Sequence, residues 1–494
     1  LNRPFEWGYL DAAAATRGFH LAVACNSEVL MTSQHRSKVL LLNPPGDKKY
    51  IRDYFCAKVA KSFYYYHPTD LVYVSGTLSQ EHEVAFIDAI ASKLSTDEVI
   101  DKARTLAPDW VLFLTAGISF TQDMAAIARM KAELPNTRFI ATGDIYREIG
   151  SRGLSDHPFV DAILLDFSTQ DILTYLQGGQ METPIPNIIH RHGDEILNGK
   201  EVHGHGKFHI PMPRWDLIDL DLYAYPFARR QAFASVLTDF GCPYKCTFCP
   251  LSTVGFKLRD LDEVERELRY LKTRGVRDIY FRDQTFGVNK RRTAELCDLL
   301  ATLDIGWTCF TRVDVIDDEL AANLKRGGCH TVMFGIESVD AELMKSYKKN
   351  TNADQATQGI SICRRHGLDV VGFFIVGLPG DSHESVDATI RFACESGIDF
   401  ASFNMAMPRL GTSLRQDAIE QGIADAADLS PDSSRGTPSW RNQALSNDEI
   451  RQLQKTAFRR FYLRPGYLLK RLFGLKTAHQ FHNFAREGMH LFLS

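Results

Sequence analysis

Nowhere do about eighteen apolar residues stand in a row, so no bilayer-spanning helix is expected. An excess of one charge is missing too. A net charge of −4 over 494 residues gives no reason to expect a nucleic-acid partner. Cysteine is sparse, 10 in the whole chain, which excludes a disulfide framework. There is no methionine before Met31, and residues 1–30 lack a charged-then-apolar leader with a cleavage site. An alternative start near Met31 is expected, with 1–37 an extension. With 44% hydrophobic residues, the chain is long enough for two or three domains, each with its own core.

The few cysteines are unevenly placed. Residues 242–249 read Cys-Pro-Tyr-Lys-Cys-Thr-Phe-Cys, directly after the apolar run Phe233–Phe240. Cys242, Cys246 and Cys249 can hold three corners of a 4Fe-4S cube. The fourth iron then keeps an open position, as catalytic metal sites do. A zinc knuckle is the alternative, but about forty residues follow with no further Cys or His. Cys25, Cys56, Cys297, Cys309, Cys329, Cys363 and Cys394 form no second motif, and several read as small core residues. A thiolate-bound cluster fits a reducing cytosol, so a cytoplasmic protein is expected.

From Lys38 to about Gly178, strands are predicted at Val39–Leu42, Glu83–Ile87, Trp110–Leu114, Arg138–Ala141 and Ala162–Leu165, with helices between them. This is the pattern of an α/β, doubly wound parallel sheet that binds ligands beyond its strands' carboxyl ends. Those ends place Asn43, Thr115 and Gly143 as candidate contacts. Residues 179–225 read as a linker of solvent-facing hairpins, although His190, His192, His203, His205 and His209 leave a metal site open. From 226 to 415, six strands (Ala232–Phe240, Asp278–Phe281, Gly306–Thr311, His330–Phe334, Val370–Val376, Ala401–Ala406) alternate with helices. That is two units short of a full barrel, whose chemistry belongs at the strands' carboxyl ends. Residues 416–494 read as a helical tail. Arg451–Lys476, basic and amphipathic, either packs on the barrel or lies on an anionic membrane surface.

The cysteine spacing, Phe248 before the last cysteine, and four matched regions over about 232–410 resemble the radical S-adenosylmethionine (SAM) enzymes. The stretch 38–178, with Leu-Leu-Asn-Pro-Pro after its first strand and His-Glu-Val-Ala-Phe-Ile-Asp at 82–88, resembles the cobalamin-binding domain that precedes many such cores. The class contains C-methylases and the anaerobic Mg-protoporphyrin monomethyl ester cyclase. By resemblance, SAM would bind the open iron. Asp283 and Glu337 would contact its amino group or ribose, Arg312 would pair with its carboxylate, and Phe248 would line the cofactor. The Asp-x-His-x-x-Gly loop that gives cobalt a histidine is absent, replaced by Asn-Pro-Pro-Gly-Asp-Lys-Lys (43–49). Any cobalamin would therefore lack that ligand, and His67 and His82 are expected to face solvent. The resemblance implies a methyltransferase that cleaves SAM to a radical and methylates an unactivated carbon from cobalamin. Oxidative cyclisation, or a cobalamin-independent enzyme with a non-binding first domain, stays open. A small-molecule or lipid-like substrate and a flavodoxin- or ferredoxin-type electron donor are implied as partners.

Overall fold

Val39–Leu42 is a run of four aliphatic residues, none of them exposed, as a strand covered on both faces requires. It forms the centre of β1 (Lys38–Asn43). In the computed structural model, which describes residues 36–474 apart from 55–56, 61–63, 179–181, 203, 231 and 431–441, four more strands join it. These are β2 (Glu83–Asp88), β3 (Trp110–Leu114), β4 (Arg138–Thr142) and β5 (Ala162–Leu164). They run parallel in the order β2-β1-β3-β4-β5. Val39 and Leu41 share a core with the helices Thr69–Leu78 and Asp171–Gly178. Leu40 and Leu42 share another with Thr96–Leu106 and Phe120–Glu133. The expected start near Met31 lies outside the described residues.

Two expectations change here. Part of the segment read as a solvent-facing linker belongs to the sheet. β6 (Ile188–His192) pairs antiparallel with β5, and β7 (Glu195–Asn198) pairs with β6. Ile188, Ile189 and His190 are buried, because a bare β5 edge would leave its backbone groups unpaired. His67 and His82 are buried rather than solvent-facing. His67 stacks on Tyr223 at 4.2 Å and places Nδ1 3.2 Å from the Ser235 hydroxyl. Burial pushes its pKa down to about 3.

The second sheet has six parallel strands in chain order. They are β8 (Phe233–Val236), β9 (Asp278–Phe281), β10 (Gly306–Thr311), β11 (Cys329–Glu337), β12 (Asp369–Val376) and β13 (Phe400–Met405). A helix precedes each of the last five (Leu261–Thr273, Lys290–Ala301, Asp318–Arg326, Ala353–Arg365, His383–Glu395). The expected strand Ala232–Phe240 is two strands. It breaks at Leu237 and Thr238, where the Thr238 and Asp239 amides donate to Asp283 (2.6 and 3.2 Å). Asp239–Gly241 then pairs with Phe256–Arg259 in a separate three-stranded sheet.

The cysteine loop is shared between the two halves. Leu237, Phe240, Leu251 and Val254 lie in the same core as Leu41, Leu112 and Ile140 of the first sheet. The segment Tyr50–Tyr54 ties the halves again. Arg52 bonds Asp123 on the first sheet's side, Asp53 pairs with Arg282 at the end of β9, and Tyr54 packs on Phe240 at 5.8 Å. At the other end of the chain, the helix Asn447–Tyr462 packs on β13. Phe458 meets Phe403 edge-on at 5.6 Å, and Gln454 donates to the Phe403 carbonyl at 2.9 Å. Of the two readings of the basic tail, this helix takes the packed one. No helix of the described residues is long and apolar enough to cross a membrane.

Candidate active site

Asp239–Gly241 delivers the chain to Cys242, beside the carboxyl end of β9. Cys242 Sγ lies 3.4 Å from the Thr285 hydroxyl, Cys246 is buried, and the Cys249 amide turns back onto the Cys246 carbonyl at 3.1 Å. Pro250 then opens a short 3-10 turn, Pro250–Ser252. The three thiols lie within electrostatic reach of one another. Burial raises the Cys242 thiol and pushes Cys249 up to about 12, so a positive centre must compensate if they are to ionise. Among the described residues no His, Cys, Asp or Glu group of three or more closes on a single metal ion. A four-iron cube holds its thiolates further apart than one ion does, and three cysteines on one short loop are a donor set that suits it chemically.

Two cationic side chains flank the loop. Arg312, just past β10, lies over the Tyr244 ring at 4.0 Å with Nη1 3.5 Å from Cys246 Sγ. Its Nε and Nη2 grip Asp314 at 2.9 and 2.8 Å, and Nη2 also donates to the Lys349 carbonyl at 2.7 Å. Lys349 Nζ meets Glu337 Oε1 at 3.0 Å and lies 5.9 Å from the Phe248 ring centre. Glu337 ends β11 with φ at +64°, a left-handed conformation that only surrounding contacts can hold in a non-glycine residue. Phe248 meets Tyr347 edge-on at 6.1 Å. Thus Phe248, Arg312 and Glu337 gather around the cysteines. Lys349 was missed by sequence reasoning, because it lies well past a strand end and no short motif marks it.

Asp283 is also near, but its carboxylate is engaged. It accepts from the Thr238 and Asp239 amides and from the Thr238 hydroxyl. Burial raises its pKa. Its bonds hold the bend that leads into the cysteine loop.

Asn43, Thr115 and Gly143 meet at the carboxyl ends of β1, β3 and β4, where the strand order reverses and α/β sheets open their crevice. None offers an unengaged side-chain group. Asn43 donates to Tyr65 (2.7 Å) and Asp88 (3.0 Å) and accepts from Arg52 (2.8 Å). Thr115 donates to Asp123 at 2.7 Å. A Cβ on Gly143, with φ at +143°, would meet the Thr115 carbonyl at 1.8 Å, so this close approach requires glycine. The next residue, Asp144, accepts from the Gly117 amide at 3.1 Å, and burial pushes its pKa up to about 7. Arg52, which organises the crevice floor, gave no signal in the sequence because its counter-charge, Asp123, lies 71 residues further along the chain.

Residues 237–393 match the Radical SAM superfamily. An uncharacterized methyltransferase of Pyrococcus horikoshii is 29% identical over 435 residues, covering 82% of this chain and 90% of the relative. The anaerobic magnesium-protoporphyrin IX monomethyl ester cyclase of Rubrivivax gelatinosus is 25% identical, over 81% of this chain and 74% of its own. Among solved structures, the radical S-adenosylmethionine methyltransferase TsrM of Kitasatospora setae, described with cobalamin and a [4Fe-4S] cluster bound, aligns with a TM-score of 0.65. The match has 15% identity and covers 92% of this chain and 98% of that one; it shows a shared α/β fold with parallel sheets.

Proposed function

We propose that this chain, whose residues 237–393 are a radical SAM domain, is a cobalamin-dependent radical SAM methyltransferase acting on an unactivated carbon. One observation carries the reading. A three-thiol loop enters the carboxyl-end mouth of a six-stranded parallel sheet, next to Arg312 and the Glu337–Lys349 pair. When bound, the cluster with SAM supplies reductive cleavage and a radical that abstracts hydrogen from carbon, and cobalamin supplies the methyl group.

The chain's own residues bind, orient and exclude water. Cys242, Cys246 and Cys249 hold three irons. Glu337, fixed by Lys349, accepts hydrogen bonds from SAM's amino group or ribose, and Phe248 lines that cofactor. Asp283 acts one step back, fixing the bend before the loop. In the first half, the strand-end rim at Gly117 and Gly143–Asp144 holds cobalamin, with Asn43 and Thr115 supporting the crevice from below. Residues 43–49 lack the Asp-x-His-x-x-Gly loop, which supports a cobalamin that would be held without a histidine from that loop, above a floor made by Arg52, Asn43, Tyr65, Asp88, Thr115 and Asp123. We take 38–178 as a doubly wound cobalamin-binding-type domain, 179–225 as the connection, 226–415 as an incomplete barrel, and 416–494 as a helical appendage. A cytoplasmic site of action and an external one-electron donor belong to the same reading.

Anaerobic reconstitution followed by turnover with methyl-labelled SAM tests it. Formation of 5′-deoxyadenosine with label in a carbon-methylated product is expected. 5′-Deoxyadenosine without label in the product would point instead to cyclisation. No SAM cleavage by cluster-loaded protein would overturn the reading.

A further inference from the structure

The guanidinium of Arg312 is placed for something other than a carboxylate. Its Nε and one Nη2 N–H already close on both oxygens of Asp314, and the Lys349 carbonyl takes a further bond from Nη2. A fork that grips one carboxylate in two-point fashion has no second such edge for another on the same side. What remains is Nη1, and it points at Cys246 Sγ, 3.5 Å away. Arg312 and Cys246 are both buried, and the ring of Tyr244 covers the guanidinium at 4.0 Å. The contact is therefore largely shielded from water.

We propose that Arg312 donates a hydrogen bond to the cluster-ligand sulfur of Cys246 and thereby sets the reduction potential of the cluster, rather than binding the carboxylate of SAM. The inference rests on the proposed function, since it takes Cys246 as a cluster ligand. Hydrogen bonds to cluster sulfurs and local charge are the protein's means of tuning such a potential. Reduction adds one negative charge to the cluster. A cation with its N–H on a ligand sulfur favours that added charge and moves the potential upward. Asp314 opposes it, but sits behind the guanidinium on its Nε–Nη2 edge, so the positive end of the pair faces the sulfur. Removing Arg312 alone would take away the donor and leave the Asp314 charge uncompensated. Both effects push the potential down. Arg312 is thus a positioning and tuning residue.

The test is an anaerobic redox titration of the full-length, cluster-loaded protein, followed by electron paramagnetic resonance, comparing the parent chain with Arg312→Gln. SAM affinity is measured on both. The expected result is a midpoint lowered by at least about 59 mV, the equivalent of tenfold in a one-electron equilibrium, with SAM affinity unchanged. An unchanged midpoint overturns the proposal. An unchanged midpoint with weakened SAM binding returns Arg312 to the carboxylate role. Should Arg312→Gln fail to take up iron, Arg312→Lys keeps the charge but not the fork. It should lower the midpoint by a smaller step, and no change there overturns the proposal equally. If the parent chain forms no 4Fe-4S cluster, the proposed function itself has failed. An unmoved potential in loaded variants removes only the role of Arg312.

Discussion

Asp123 is the acceptor on which the crevice floor of the first sheet depends, and its removal should be costly by a calculable amount. Its carboxylate takes two bonds from Arg52 and one each from the Thr115 and Ser119 hydroxyls, at 2.5–3.0 Å. Both side chains of the ion pair are fully buried. Asp123→Ala leaves a buried guanidinium without its counter-charge, a loss of about 3–5 kcal/mol. Arg52 keeps acceptors in Asn43 and the Pro44 carbonyl, which favours the lower part of that range. In urea, a slope of about 3 kcal/mol/M converts this into a midpoint lowered by roughly 1–1.7 M. The double variant Arg52→Met with Asp123→Leu removes both charges together and should recover most of the loss, because a buried pair contributes little beyond an apolar pair of similar volume. Circular dichroism with urea, read on the first unfolding transition, gives both numbers. A loss under about 1 kcal/mol for Asp123→Ala would refute the account of Asp123 as the counter-charge on which buried Arg52 depends.

Other perturbations give equally definite outcomes. Replacing Cys242, Cys246 or Cys249 with Ala should abolish both the iron–sulfur absorbance and SAM cleavage; full cluster content with parental cleavage in any one variant would remove that thiol from the ligand set. Gly143→Ala drives a Cβ into the Thr115 carbonyl and should lower the melting temperature markedly, with cobalamin retention falling in parallel; an unchanged melt would show that the strand ends can separate freely. The resonance spectrum of reconstituted cob(II)alamin should lack hyperfine splitting from a protein nitrogen, as the absent Asp-x-His-x-x-Gly loop implies, and such splitting would refute that reading. Asp70 is buried, no side chain among the described residues donates to either carboxylate oxygen, and burial pushes its pKa from 3.8 up to about 8. The folded protein thus keeps a proton the unfolded chain has lost, so stability falls as pH rises from about 4 to 8. Asp70→Asn should flatten that decline in denaturant titrations across the interval, and an unaltered slope would count against it.

Regular elements were legible because their periodicity is local. Val39–Leu42 and Trp110–Leu114 announce buried strands by continuous apolar runs, and Ser95 with Glu98 announces a helix start that the structure completes as a capping box. The cysteine loop was legible for the same reason, since its ligands lie within eight residues. What stayed hidden depends on distant partners. Leu237 and Thr238 continue an apolar run, yet the strand breaks there because Asp283, 45 residues away, captures the Thr238 amide. His67 looks like a surface residue in sequence, but lies between Tyr223 and Trp215. Asn43 and Thr115 stood where a crevice should open, and the sequence held no sign that Arg52 and Asp123 would engage them. The residue type of Arg312 suits any carboxylate; only Asp314, two residues on, with its carboxylate on the fork, shows that Nη1 is what remains.

The shared core around the cysteine loop bears on how the chain is made. During synthesis the first sheet emerges well before Leu237, Phe240, Leu251 and Val254, the residues that complete one of its apolar faces. Until they arrive, that face must stay open to water or to a chaperone, although domains generally fold as units from the amino end. Closure of the first half and placement of the three thiols therefore become one event. Before that event the cysteine loop has no supporting wall, so its three thiols take their folded positions only when the two halves meet.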